Sequence, residues 1–277
     1  MEIRRKVTPG GLWRSLYPVL LYLCLQMAAG VLYMIVLAAY SVFSGVEPAG
    51  LYEYLMDRYA QGGTVAVVLL SALLSLPLFS WLYCRDMRQR KQCGWRDEWY
   101  PLTEWQLLWA AVGSAALALF GNGLVAFLPL EQWADSYEEV NDALYSGSVW
   151  LRMAAVGFFG PAVEELIMRG LLYQRLRGMM RPAAAMIWSA LVFGIFHGNV
   201  IQGVYAFLVG LFFAWLMERT QRILAPMLGH MAANVFIVLL EDFRVLDIFY
   251  RSDVNFLGMM LISGVVFLCA AAALKER

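Results

Sequence analysis

The chain has 277 residues, 61% hydrophobic and 15% charged, with a mean hydropathy of +0.62, which excludes the mix of an ordinary soluble domain. Its 21 basic and 21 acidic residues cancel, so there is no bulk attraction to nucleic acid, and where the charges sit matters more than their sum. In a bilayer core the backbone must satisfy itself, which makes an all-α, polytopic membrane protein the expected class.

A hydrocarbon core about 30 Å thick needs roughly 20 apolar residues in helical form. The first run, 15–43, follows Arg4, Arg5, Lys6 and Arg14. It is far longer than the roughly 7–15 apolar residues of a secretory signal, so a retained span is expected. Further spans are predicted over 64–84, 105–130, 149–173, 182–198, 200–218, 223–240 and 255–274, about eight in all. No repeat, low-complexity stretch or long linker divides them, and a single membrane domain over 1–277 is expected. The fifth and sixth helices are joined by little more than Gly198–Asn199. That hairpin can turn within the membrane, where irregular backbone is tolerated only against protein or a wet cavity.

An even number of spans puts both termini on one side. With the N-terminus in the cytoplasm, the inward segments 1–14, 85–104, 174–181, 219–222 and 275–277 hold 16 of the 21 Lys and Arg residues. Arg58, Arg152, Arg244 and Arg251 fall outside, and Arg169 lies within a helix. This asymmetry predicts an N-in, C-in topology. The acidic segment bearing Glu131, Asp135, Glu138, Glu139 and Asp142 is then an outer loop. Trp81, Tyr83, Trp95, Trp99, Tyr100 and Trp105 flank a cytoplasmic loop as interfacial anchors. The basic residues from Arg85 to Arg96 are most simply topology determinants. Cys24, Cys84, Cys93 and Cys269 have no C-x-x-C spacing and read as free thiols.

Ionisable groups at membrane depth are costly, and each poses a functional or pairing hypothesis. Here they are Glu164, Glu165 and Arg169 in the fourth helix, joined by the two histidines of the chain, His197 and His230, and by the amide of Asn234. Residues four apart share a helix face, so Glu165 and Arg169 pair, whereas Glu164 is turned about 100° away and has no partner on its own helix. Phe193 with His197, and His230 with Asn234, form two further one-turn pairs. Counted from the cytoplasmic helix ends at 1.5 Å per residue, Glu164 and Asn234 lie roughly 16 Å deep, His197 roughly 22 Å and His230 roughly 10 Å, close enough to converge if the helices tilt. The bland reading is a structural ion-pair network, with Asn234 as helix-to-helix glue. It leaves one of the two carboxylates beside a single arginine unneutralised.

E-E-x-x-x-R at Glu164, Glu165 and Arg169, F-x-x-x-H at Phe193 and His197, and H-x-x-x-N at His230 and Asn234 follow one another on successive apolar segments. In that order they resemble the CAAX prenyl protease and bacteriocin-processing family of intramembrane glutamate endopeptidases, with 160–235 as the catalytic core. The resemblance implies that Glu164 is the base that activates water, that His197 helps hold that water, and that His230 and Asn234 stabilise the oxyanion. Glu165, Arg169 and Phe193 would support them. It implies a peptide or protein substrate, lipidated or not, hydrolysis near the cytoplasmic face without cofactor or metal, and residence in a bacterial plasma membrane. Two alternatives stand beside it: a zinc metallopeptidase using His197, His230 and a glutamate, though H-E-x-x-H is absent, and a non-catalytic scaffold, immunity factor or transporter.

Overall fold

The computed structural model describes residues 6–92, 102–127 and 134–275, and the side chains of all of these but 134–138. Every regular element among them is helical. In chain order they are α1 (Pro9–Phe43), α2 (Leu51–Ala60), α3 (Gly63–Gln92), α4 (Glu104–Ala126), α5 (Ala134–Tyr145), α6 (149–177), α7 (Pro182–Phe196), α8 (Val200–Thr220), α9 (Leu224–Asp242), α10 (Val245–Tyr250) and α11 (Asp253–Ala273). Each of the eight predicted runs falls on a helix. Six of these, α1, α3, α4, α8, α9 and α11, are long and apolar enough to cross a membrane unaided. The other two differ for physical reasons. α6 carries two carboxylates and an arginine at mid-length, and α7 has 15 residues, so it is about 22 Å long, short of the roughly 30 Å core.

Helix starts follow local capping chemistry, which apolar runs do not register. Thr8 accepts from the Gly11 amide at 3.1 Å and opens α1 at Pro9, six residues ahead of the predicted 15. Thr103 and Gln106 form a capping box at α4, while Ser148, Asn199 and Ser252 cap α6, α8 and α11. α3 runs on to Gln92, so the basic stretch predicted as loop from Arg85 is helical through its first eight residues. The acidic segment expected as an outer loop contains α5, and α2 and α10 were likewise unforeseen. All three are too short or too polar to register as apolar runs. Glu131, Cys93, Trp95, Trp99 and Tyr100 lie outside the described residues. Cys24, Cys84 and Cys269 are free thiols, as expected.

One end of the molecule is strongly basic and gathers five helix ends. Arg175 of α6 bonds Asp86 of α3 at 2.7 Å and the carbonyl of Arg14 in α1, and Arg90 bonds Gln174. Arg177 and Tyr173 of α6 both reach Glu218 of α8, the latter at 2.5 Å, and Arg219 bonds carbonyls at Leu274 and Lys275. The start of α1 and the end of α11 therefore lie at the same end, as the count of spans predicted. Trp81 and Trp105 are exposed there, with the Arg85 guanidinium 5.1 Å from the Trp81 ring. Elsewhere the outer faces are apolar, with Leu20, Val31, Ile35, Leu261 and Ile262 facing outward. Inside, Ser15, Ser41, Ser71, Ser114 and Ser263 are buried and return their hydroxyl protons to carbonyls one turn back.

Candidate active site

Each piece of the site comes from a local departure from regular helix. α6 contains two π-helical segments, Met153–Phe159 and Leu166–Tyr173, on either side of Gly160–Glu165. In the first, the Gly160 amide bonds the carbonyl of Ala155, one residue further back than in an α-helix. The carbonyl of Val156 would next be served by residue 161, but Pro161 has no N–H. That carbonyl is therefore free, and the Asn234 side-chain amide donates to it at 2.8 Å. Only glycine fits at 160, since a Cβ there would stand 2.7 Å from the Ala155 oxygen. A π-segment thus makes the seat for the last residue of the third motif.

The turn 197–199 makes the second departure. Gly198 at φ +76 ends α7, Asn199 caps α8, and the two helices fold back on each other where Gly194 meets Gly203. A Cβ on Gly194 would stand 2.6 Å from the Gly203 carbonyl. The short hairpin read from sequence is thus a tight glycine-to-glycine contact that carries His197 at its tip. His197 Nδ1 lies 2.8 Å from the Phe193 carbonyl. A carbonyl only accepts, so Nδ1 carries the proton and Nε2 presents a lone pair.

At the centre, Arg169 and Glu165 are fully buried and paired at 2.9 Å, as their spacing predicted. The second terminal nitrogen of Arg169 donates to the Gly210 carbonyl at 2.9 Å. Its guanidinium lies 4.5 Å from the centre of the Phe193 ring and 5.3 Å from that of Phe213. Gly210 is needed for this approach, because a Cβ would come within 3.0 Å of Phe193 and 3.1 Å of the Arg169 nitrogen. His230 Nδ1 stands 2.9 Å from the same Glu165 oxygen that Arg169 binds, and its ring stacks on Phe213 at 4.8 Å. His230 Nε2 faces the Glu164 carboxylate at 3.8 Å, beyond hydrogen-bond length.

Six of the seven motif residues thus lie in one connected set, and Asn234, one turn along α9 from His230, is held by the Val156 carbonyl. Glu164, His230 and Arg169 lie near His197, and the Phe193 ring packs edge-on against His197 at 4.8 Å and His230 at 5.7 Å. Glu164 is the least buried of the three motif charges on α6, with its side chain 19% exposed, and no arginine among the described residues pairs with it. Sequence reasoning gave Glu165 only Arg169 as partner. The structure adds His230, from 65 residues away, to Glu165, and it gives Arg169 the Gly210 carbonyl and Asn234 the Val156 carbonyl as acceptors. A backbone carbonyl leaves no signature in residue type, so spacing could not have found either. Among the described residues no three His, Cys, Asp or Glu side chains are grouped to hold a metal ion.

A helical, multi-pass membrane scaffold carrying this set of residues defines a class, and the comparisons agree with it. Residues 146–236 match the family model described as Rce1-like, type II CAAX prenyl endopeptidase. That segment holds all three motifs, so the resemblance read from them is borne out there. The chain is also similar to a protein of Bacillus subtilis (strain 168) named "Putative membrane peptidase YdiL", 25% identical over 167 residues, which is 58% of this chain and 66% of the relative. The chain thus spans a little under two thirds of that relative's length. No solved structure matches it significantly.

Proposed function

We propose that the chain is an intramembrane endopeptidase of the glutamate type, cleaving a peptide or protein substrate that enters from the basic end, which the positive-inside rule assigns to the cytoplasm. The observation that carries this reading is the unequal treatment of two adjacent carboxylates. Glu165 is fully buried and bonded to Arg169 and His230, while Glu164, one residue away, is part-exposed and has no arginine partner among the described residues. That is the arrangement of a supporting acid beside a working base.

In this reading the Glu164 carboxylate takes a proton from water as the water oxygen bonds the scissile carbonyl carbon, and it later passes that proton to the leaving nitrogen. The lone pair on His197 Nε2 accepts the water's other hydrogen. The charge that develops on the carbonyl oxygen is met by donors from α9: the N–H of Asn234 not used by Val156, and His230 Nε2 when it is protonated. Glu165 fixes the His230 ring through Nδ1, so it positions that donor as well as balancing Arg169. The substrate, lipidated or not, and a bacterial plasma membrane follow from the resemblance and the relative.

The test is co-expression of the protein, and of its Glu164→Gln form, with candidate precursor peptides, followed by mass spectrometry and assay of purified enzyme under chelation. Metal-independent cleavage that Glu164→Gln abolishes at unchanged melting temperature is expected. Cleavage lost on chelation and restored by zinc would favour the metallopeptidase. Glu164→Gln turning over near normally would end the base assignment.

A further inference from the structure

Tyr22 of α1 belongs to none of the three motifs, yet it is 1% exposed and its hydroxyl finds no hydrogen-bond partner among the described residues. Buried hydroxyls are almost always paired, so an orphan one calls for a reason. Its ring is wedged between Phe79 of α3, edge-on at 6.0 Å, and Phe196 of α7, stacked at 5.5 Å. Phe196 in turn packs against His197 at 6.3 Å. Ser71 and Gln26 stand beside the phenol, but neither meets it in hydrogen-bond geometry, and the Ser71 hydroxyl gives its own proton to the Val68 carbonyl at 2.9 Å.

The level of this hydroxyl in the molecule can be read from α3 and α6. Both helices end in the basic cluster and so run in the same direction. They touch where Val68 faces Gly160, 3.9 Å from a Cβ placed there. Three residues along α3 from Val68 is Ser71, and four along α6 from Gly160 is Glu164, so the two differ in height by about one 1.5 Å rise. The Tyr22 hydroxyl beside Ser71 is therefore at the level of Glu164, near its carboxylate.

We propose that Tyr22 is a positioning residue for Glu164: its phenol O–H donates to the Glu164 carboxylate and turns the other carboxylate oxygen toward the attacking water. The phenol keeps its proton throughout, and the water's proton still passes through Glu164. This rests on the reading of Glu164 as the base. A tyrosine retained only for packing would lose nothing on conversion to phenylalanine, which fills the same space and removes an unpaired polar group.

The experiment compares wild type, Tyr22→Phe, Ser71→Ala and Glu164→Gln, each purified in detergent, with melting temperature, kcat and KM measured on one cleavable peptide. For Tyr22→Phe the melting temperature should hold or rise, KM should stay within about twofold, and kcat should fall about 10- to 100-fold, the scale of a misdirected catalytic group. Ser71→Ala should turn over as wild type. If Glu164→Gln is inactive but Tyr22→Phe keeps its kcat, the role of Tyr22 falls and the base survives. If Tyr22→Phe melts several degrees lower and loses activity only with lost folded protein, the hydroxyl is structural and the proposal is wrong. If Ser71→Ala reproduces the loss, Ser71 is the partner of the phenol and the proposal is again wrong. If Glu164→Gln turns over, the base reading fails and Tyr22 fails with it.

Discussion

Arg169 spends its two terminal nitrogens on different partners, Glu165 and the Gly210 carbonyl, with aromatic rings against its plane. Lysine has one nitrogen and no plane, so Arg169→Lys keeps the charge without the fork. It should destabilise by about 1–3 kcal/mol through the carbonyl or carboxylate it leaves short of a donor. Arg169→Ala should cost about 3–5 kcal/mol by leaving Glu165 buried with only His230. Thermal unfolding in detergent measures both, and an Arg169→Lys protein as stable as wild type would show that only the charge matters. Glu165→Gln should lower turnover as well as folded yield, because His230 loses the carboxylate that orients it. The pairing of Glu165 with Arg169 was legible in the sequence because it lies four residues apart on one helix. The Gly210 carbonyl, Phe213 and Tyr22 were not, since each comes from another helix and belongs to no motif.

At the scale of the helix, the π-segment ahead of Gly160 is the feature that aims the motif. A π-turn shifts hydrogen bonding by one residue while the hydrophobic pattern stays the same, so periodicity reads it as ordinary helix. Pro161 was the one visible sign. Gly160→Ala should push its methyl into the Ala155 oxygen, close the segment toward α-helix and withdraw the Val156 carbonyl from Asn234. The expected result is a loss of about 1–3 kcal/mol in stability together with reduced turnover, because Glu164 lies four residues downstream on the same helix. Melting temperature and kcat would be measured together, and unchanged values for both would show that the glycine is incidental. The hairpin of α7 and α8 was half legible. Its shortness was visible in Gly198–Asn199, while the glycine-to-glycine contact of Gly194 with Gly203 was not.

Across the whole molecule, the orientation in the membrane decides which compartment supplies substrate, and the structure sharpens the argument made from charge. Arg14, Arg90, Arg175, Arg177 and Arg219 all lie at the end where α1 begins and α11 finishes. At the other end, where Arg58, Arg244 and Arg251 also fall, Arg152 bonds Asp242 and the Tyr145 carbonyl, beside the acidic helix α5. Short basic segments stay in the cytoplasm, so the basic end should face inward and the α5 end outward. Two single-cysteine proteins test this, one keeping only Cys93 and one carrying only Asp142→Cys on the exposed face of α5. Treated in intact cells with a membrane-impermeant thiol reagent, the Asp142→Cys protein should label at once, and the Cys93 protein only after the membrane is opened. Labelling of Cys93 alone in intact cells would reverse the molecule. Glu164 lies eleven residues up α6 from Arg175, about 16 Å from that end, so a reversed molecule would draw its substrate from outside.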